Sequence, residues 1–528
     1  MTVAEVFQEI SAADFFYRNR DIAGFTSPSR SIYSTIRELV ENSLDACETG
    51  GIPPDIYVRL SHESGPLDGP GTYVLRVEDN GIGVPGDIIP SAFGQVLYGS
   101  KYKLRQTRGT FGLGGKMALL YGQITTHGEA QISSSTNPKQ RITDIGLRTD
   151  IQHNKPVVLK KKTRTNSSHW KGTVIEFKTE ADYSRAMPRI LEYFKQTAII
   201  VPYANLTFVD PRGRLYHFTR GTTVVPPAPT ETLPHPHGVD VETIQRMLRL
   251  TNAKTLQEFL RKNFQRIGET TARKFLLYAK LGSKKSPSKL TSADIVTLAS
   301  AMKNYEDFVS PDPTSLSPLG AELLATGIKK ELGISDEDVQ NGSAFVATLQ
   351  RKPATYSGFP FIIEVGIASG KQIETQGKIL LFRFANKIPL LFDEASDVSW
   401  KVVDQIDWRG YRVIPGETPL AVFVHVCSTK IPYKTVGKEF IADRPEVEHE
   451  ILNAIREASR NLRIYLSRRE HLAQEKKRVD VFEKYLPKVA QFSTKLSKAK
   501  KEPDIKPLLK GLIKYGAEEN EEGKEGSE

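Results

Sequence analysis

Four stretches between Glu38 and Phe177 carry residues whose types and spacing suit chemistry on a bound ligand. In Glu38-Leu39-Val40-Glu41-Asn42-Ser43-Leu44-Asp45-Ala46, the polar residues Glu38, Asn42 and Asp45 fall at i, i+4 and i+7 on one helical face, while Ile36, Leu39, Val40 and Leu44 pack elsewhere. A polar stripe of this kind is ordinarily a solvated helix face. Tyr73, Leu75 and Val77 alternate along a strand that ends Glu78-Asp79-Asn80-Gly81-Ile82-Gly83. Asn-Gly alone reads as a tight turn that tolerates positive φ. The functional reading makes the Asp79 carboxylate an acceptor for an exocyclic amino group, with Gly81 and Gly83 letting a planar base approach the backbone. The third stretch, Gly109-Thr110-Phe111-Gly112-Leu113-Gly114-Gly115-Lys116, runs straight into the helical Met117-Ala118-Leu119-Leu120-Tyr121. Successive backbone N–H groups ahead of a helix amino terminus bind anions, so phosphates are its natural ligand. It is not a Walker loop, because Met117 follows Gly115-Lys116, and not a dinucleotide fingerprint, because Met117 stands where the third glycine belongs. The fourth stretch, Gly172-Thr173-Val174-Ile175-Glu176-Phe177, is a strand whose Thr173 hydroxyl could share work with Asp79.

In this order the four stretches resemble the GHKL superfamily, the group of gyrase, the large heat-shock chaperone, histidine kinases and MutL. The resemblance covers about the first 230 residues. It implies ATP and Mg²⁺ as cofactors, with Glu38 as general base, Asn42 as a Mg²⁺ ligand and Asp79 as the adenine contact. Gly109, Thr110, Phe111, Gly112, Leu113, Gly114, Gly115 and Lys116 would wrap the triphosphate, and Asp45, Gly81, Gly83, Ser100, Lys101 and Thr173 would line the same nucleotide site. The roles are chemically coherent. Mg²⁺ takes few protein oxygens beside phosphate and water, which one amide oxygen satisfies. A carboxylate polarising the attacking water is worth roughly 10²–10⁴ in rate.

Elements must hold these residues in place, and at 528 residues the chain is long enough for several domains. Residues 1–230, with an N-terminal arm, mix helical and strand patterns and end in the Pro-rich Val225-Pro226-Pro227-Ala228-Pro229. Residues 231–309 read as helices only, with Ile244, Met247 and Leu248 at helical spacing and helix starts at Thr255-x-x-Glu258 and Thr291-x-x-Asp294. After Ser310-Pro311-Asp312-Pro313, strand patterns return at residues 360–367, 378–384, 388–392 and 420–427. This second α/β region, 310–470, closes with an amphipathic helix from about Val447 to Arg469 whose apolar positions are Ile451, Ile455, Leu462, Ile464 and Leu466. Residues 471–528 form a basic helix or tail, expected to be disordered and acidic from about Gly516.

Hydrophobic residues at 39% and charged residues at 26% are the balance of a folded globular protein. No apolar run approaches the roughly 20 residues of a spanning helix, and the amino terminus lacks a signal-peptide pattern. With only Cys47 and Cys427, too few for a disulfide framework, a reducing cytoplasmic interior is expected. The net charge of +11 favours a polyanionic partner. Residues 155–171 hold six basic residues and no acid, in what reads as a loop-like stretch able to meet phosphates. From Lys476 to Lys514, twelve basic residues face four acidic ones.

Within the superfamily, the helical segment containing Gln265-Arg266-Ile267-Gly268-Glu269-Thr270-Thr271-Ala272-Arg273-Lys274 looks like the helix-two-turns-helix domain of the B subunits of type IIB DNA topoisomerases (topoisomerase VI). Ala92-Phe93-Gly94, Ser100-Lys101-Tyr102 and Phe384-Ala385-Asn386-Lys387-Ile388-Pro389 are similar to those subunits as well. The resemblance implies an α+β multidomain fold: a GHKL (Bergerat) α/β sandwich, a helical insert and a ribosomal-S5-like transducer. It also implies a transducer lysine that reaches the γ-phosphate from a strand end. The matching residue is Lys430, with Lys434 and Lys438 as equal competitors on the residues alone. The one D-x-D run, Asp336-Glu337-Asp338, sits in a helical context and does not read as a cleavage module. The resemblance therefore implies a separate A subunit with the cleavage tyrosine, double-stranded DNA as substrate, and an ATP-dependent homodimer within an A₂B₂ assembly. A MutL-like or chaperone-like ATP clamp and a non-hydrolysing scaffold are the alternatives, and the intact Glu38 argues against the second.

Overall fold

The computed structural model describes residues 10–99, 104–109, 112–375, 377–434, 437–497 and 503–505. The amino-terminal part is built on eight strands: β1 (Asp55–Ser64), β2 (Gly71–Glu78), β3 (Ala130–Ser135), β4 (Ile142–Asp150), β5 (Lys155–Arg164), β6 (Gly172–Ala181), β7 (Asn205–Val209) and β8 (Leu215–Phe218). They lie in the order β5-β4-β3-β6-β2-β1-β7-β8 and are antiparallel except for the β1–β7 pair. The alternation of Tyr73, Leu75 and Val77 puts all three in the core. They pack there beneath the helices α1 (Ala12–Arg18), α2 (Pro28–Thr49), α3 (Ile89–Gly94), α4 (Gly114–Thr126) and α5 (Tyr183–Ile200). Arg76, Glu78, Glu176 and Lys178 are partly or fully exposed, and they pair with one another or with Glu63. The basic stretch expected to be a loop is the edge strand β5, because Lys155 to Arg164 pair with β4 along their length. Its Lys160 and Arg164 are matched to Glu129 and Asp144.

The helical segment comprises α6 (Val241–Leu250), α7 (Leu256–Asn263), α8 (Glu269–Tyr278) and α9 (Ser292–Asn304) around a core of Ile244, Phe259, Phe264, Phe275, Leu298 and Met302. Thr291 and Asp294 form the reciprocal capping box that their spacing predicts. At Thr255 only half of the box forms, because the Glu258 carboxylate accepts from the Lys254 N–H instead.

A second sheet follows, introduced by α10 (Ala321–Leu332) and α11 (Asp336–Gln340). It contains β9 (Ala344–Gln350), β10 (Ala354–Tyr356), β11 (Phe359–Gly370), β12 (Leu380–Ala385), β13 (Ile388–Pro389) and β14 (Leu420–Ser428), with α12 (Val398–Gln405) between the last two strands. The order is β10-β11-β14-β12-β13, with β9 pairing the rest of β11 on the side away from β14, and every residue of β11 and β14 is buried. The strand expected over residues 388–392 is only two residues long, since the Leu390 N–H already turns back to the Arg383 carbonyl. The last helix, α13, runs from Pro445 to Ser497, well past the expected end at Arg469. Its buried seam of Val447, Ile451, Ala454, Ile455, Ala458, Leu462 and Leu466 stops where that end was expected. Ile464 is exposed, because it falls between Leu462 and Leu466, which share a face at i and i+4. Asp336-Glu337-Asp338 opens α11, and Asp338 is consumed by the Ser335 N–H and hydroxyl and by the Ser343 hydroxyl, so this acidic run caps a helix.

The two sheets' helices meet closely. A Cβ on Gly327 of α10 would stand 1.9 Å from the Ile199 carbonyl oxygen of α5.

Candidate functional site

Helix α2 starts at Ser27, whose hydroxyl accepts from the Arg30 N–H, with Pro28 in the first turn. Ile32, Ile36, Leu39, Val40 and Leu44 are buried, which leaves Glu38, Asn42 and Asp45 partly open on one face. Helix α4 begins against that face. A Cβ on Gly114 would lie 1.7 Å from Glu38 Oε2, and one on Gly115 would lie 2.9 Å from Asn42 Nδ2. Only glycine lets the first turn of α4 come this close. Leu113 at the N-cap offers no side-chain acceptor, so the first-turn N–H groups remain as anion donors beside the Glu38 carboxylate and the Asn42 amide. Lys116 is buried, and its ammonium donates to the Tyr98 carbonyl. Ser100, Lys101, Thr110 and Phe111 lie outside the described residues.

Asp79 closes the other end of the pocket, just past β2. Its Oδ1 accepts from the N–H of Gly81 at 2.9 Å and of Thr173 at 3.2 Å, and its Oδ2 accepts from the Ser43 hydroxyl at 3.0 Å. Burial pushes this carboxyl up to about 6, against the three donors that favour its ionised form. Thr173 therefore serves Asp79 through its backbone, while its hydroxyl pairs with Ser134 at 3.2 Å. Gly172 has φ of 142°, and a Cβ there would stand 1.9 Å from the Asp79 carbonyl oxygen, so β6, which starts against the Asp79 backbone, has to begin with glycine. The expected contact of Thr173 with Asp79 is through its hydroxyl, whereas the contact is made by its backbone N–H, and Ser43 as the other partner was not legible in the sequence.

The second sheet reaches this pocket with a lysine, but not with Lys430. Lys430 is exposed, with its ammonium 4.8 Å from the Phe359 ring centroid, and Lys434 is exposed too. Lys438 is the residue that arrives. It has φ of 54° in a loop closed by the Tyr433–Ile441 bridge, and its buried Nζ donates to the Arg108 carbonyl at 2.8 Å. The same ammonium lies 3.8 Å from Glu38 Oε1 and 3.5 Å from Glu41 Oε2. The strand β14 ends at Ser428 and the chain needs the whole loop to turn back, which is why the lysine nearest the strand end in sequence is not the one at the site. Arg37 completes the group, donating to Glu38 Oε1 at 2.8 Å and to the Gly437 carbonyl at 3.2 Å.

Asp45 accepts from Arg108 Nη1 at 3.0 Å, and the other arm of Arg108 meets Glu48 Oε1 at 2.6 Å. Burial works to raise the Glu48 carboxyl, but the charges of Arg108 and Lys387 outweigh it and hold the group at about 2. Lys438 is one of three competing lysines in the sequence, whereas Arg108 and Glu48 carry no motif that sequence reasoning could have used, beyond the position of Arg108 one residue ahead of Gly109.

Comparison with known proteins places relatives beside this geometry. A family model described as histidine kinase-, DNA gyrase B- and HSP90-like ATPase matches residues 28–159, and one described as topoisomerase VI B subunit, transducer, matches residues 311–478. The B subunit of type 2 DNA topoisomerase 6 from Pyrobaculum aerophilum is 43% identical over 502 residues, covering 95% of this chain and 93% of its own. The protein of the same name from Saccharolobus solfataricus is 41% identical over 519 residues, covering 98% of this chain and 95% of its own. A solved topoisomerase IV ATP-binding domain of Francisella tularensis aligns with a TM-score of 0.35 at 9% identity, over 82% of this chain and 92% of that one.

The Asp79 geometry sets an expectation for adenine nucleotides. Asp79→Asn places a donor where the carboxylate accepts, and ATP affinity should fall by about 1.5–3 kcal/mol, or ~10- to 150-fold, in a calorimetric titration. The raised carboxyl adds a pH signature: the ionised acceptor is present above pH about 6 and is lost as pH falls through it, so wild-type affinity should weaken there. The asparagine variant should be flat over the same range. Unchanged affinity in Asp79→Asn would remove Asp79 from the adenine site.

Proposed function

The chain belongs to the family of type 2 DNA topoisomerase 6 B subunits, and from that premise we propose that it is the ATP-driven gate of a two-subunit type IIB DNA topoisomerase. It binds and hydrolyses ATP between α2, the turn after β2 and the start of α4. ATP draws two copies together, and the closing gate passes one DNA duplex through a break opened by a separate A subunit in an A₂B₂ assembly. The transducer match, together with relatives that align over almost the whole chain, favours this reading over a MutL-like or chaperone-like clamp.

One observation carries the proposal: a lysine of the transducer, Lys438, is lodged 3.8 Å from Glu38, the carboxylate that stands at the start of the glycine-loop helix. Glu38 takes the proton of the attacking water, and Arg37 holds its Oε1 in place. The first-turn amides of α4 hold the phosphates, and Asp79 fixes the base. The amide oxygen of Asn42, partly open on the face of α2 that the start of α4 approaches, is the kind of hard ligand that fits Mg²⁺. Asn42 would hold the ion, which would neutralise phosphate charge. Lys438 reports the γ-phosphate to the transducer, because only a nucleotide that carries this group offers its ammonium an anion on the far side of the pocket. Exposed Phe15, Tyr17 and Ile22 in the amino-terminal arm supply apolar surface suited to a second copy. The capping role of Asp338 leaves strand cleavage to the partner protein. Among the described residues no helix is long and apolar enough to cross a membrane.

Two substitutions separate the roles. Glu38→Gln keeps the shape of the helix and should lower ATP turnover by roughly 10²–10⁴ while leaving ATP affinity within a few-fold, read by steady-state hydrolysis and calorimetry. Equal loss of both would make Glu38 structural. Wild type should be monomeric with ADP and dimeric with a non-hydrolysable ATP analogue by light scattering. Lys438→Ala should blunt that shift by about 1.5–3 kcal/mol, and Lys430→Ala should leave it in place. Dimerisation that is insensitive to Lys438→Ala, or equal with ADP, would sink the γ-phosphate gate.

A further inference from the structure

The residues that lead into the glycine loop are fastened to the transducer side of the molecule rather than to the sheet that carries the rest of the pocket. The Leu104 carbonyl accepts from the Thr232 N–H at 3.0 Å, and the Leu104 side chain packs against the core around β11 and β14. Gln106 and Ser317 bond reciprocally, the Ser317 N–H to Gln106 Oε1 at 2.7 Å and Gln106 Nε2 to the Ser317 carbonyl at 3.1 Å. Asn386 Nδ2 donates to the Thr107 carbonyl at 3.3 Å. The next residue is Arg108, whose guanidinium turns into the ATPase part and joins Asp45 and Glu48 of α2.

Glu48 is also reached from the transducer. Lys387 Nζ lies 3.3 Å from Glu48 Oε2 and 3.2 Å from the Ser317 hydroxyl, and the side chains of Lys387, Arg108 and Glu48 are each less than a tenth exposed. Asp45, Glu48, Arg108 and Lys387 are thus two carboxylates and two cations that balance across the junction. Lys387 is itself held rigidly. It has φ of 62° in the turn between β12 and β13, and its N–H donates to His425 Nε2 at 2.9 Å. Because Nε2 accepts, Nδ1 carries the ring proton and donates to Glu364 at 2.7 Å, and Glu364 accepts further from the Leu319 and Gly320 N–H groups ahead of α10. These bonds occupy the imidazole and both Glu364 oxygens, so the buried Glu364–His425–Cys427 cluster is a brace for the Lys387 turn.

We propose that Lys387 is a positioning residue that joins the phosphate loop to the transducer. Its ammonium, through Glu48 and Arg108, sets both the residue that precedes Gly109 and the Asp45 end of α2, so that this end of the nucleotide site and the transducer move together. This link is separate from Lys438, which touches the Glu38 end of the pocket. The proposal rests on the reading of residues 109–116 as the phosphate loop. A charge network of this kind transmits a change because breaking one member leaves a buried, unmatched partner, and the arrangement therefore switches as a unit.

The test uses the complete enzyme, this chain with its cleavage partner, on supercoiled plasmid DNA, counting strand-passage events per ATP hydrolysed. Lys387→Met keeps the aliphatic stem and removes the charge. It should lower that ratio about tenfold while KM for ATP stays within about threefold. Gln106→Ala, which leaves all four charges in place and cuts the strap elsewhere, should lower the ratio in the same direction and decides the matter if the methionine variant does not fold. Hydrolysis and strand passage falling by the same factor in the variants, or an unchanged ratio, would overturn the proposal. A wild-type enzyme that hydrolyses no ATP with DNA would instead overturn the functional reading beneath it.

Discussion

The nucleotide half of the molecule depends on one close approach, the backbone of α4 starting where Glu38 of α2 already stands. A single added carbon at Gly114 would overlap the carboxylate, so the two helices can converge only through glycine. The convergence places the positive end of one helix against the acid and amide of the other, an arrangement suited to an anion between them. The remaining placements follow. Once α2 is fixed by its apolar face, its far end brings Ser43 to Asp79 and stacks Ala46 against the Gly81 turn.

The opposite edge of α2 faces the transducer. Glu38, Glu41, Asp45 and Glu48 recur at three- and four-residue intervals, a stripe along one side of the helix. Lys438 lies between the first two, Arg108 between the last two, and Lys387 on the last. The members are not equally satisfied. Glu48 holds three donors and is kept strongly acidic, whereas among the described residues neither carboxylate oxygen of Glu41 has a hydrogen-bond partner, and burial raises its carboxyl despite the Lys438 charge. Desolvation makes such ion pairs poor sources of net stability, so their value is in register: the helix can meet the transducer in only one alignment.

The transducer supplies a stiff counterpart. β11 and β14 are buried along their whole length, as expected for a sheet covered on both faces, with α10 packed against α5 and α13 laid over β11 and β9. Glu364 and His425 are polar residues buried inside that sheet, and their bonds to Lys387 and to the chain ahead of α10 tie the turn that faces α2 to the strands that bear it. Movement of this turn is therefore movement of the sheet.

Much of this was legible beforehand because it is local. The i, i+4, i+7 polar spacing on α2, the alternation in β2, the glycines before α4 and the capping box at Thr291 are set by the geometry of a single turn or strand, and residues three or four apart have no choice about sharing a face. The resemblance of four such pieces in order was enough to assign the superfamily. The tertiary structure alone decided what crosses between pieces. It turned a basic loop into the paired edge strand β5 and carried α13 on to Ser497 beyond its buried seam. It also gave Asp79 its partner on β6 and replaced Lys430 with Lys438. For Asp79 and Lys438 the deciding contact joins residues far apart in sequence, and the spacing of residues along a chain does not encode which distant surface a loop will turn back to meet.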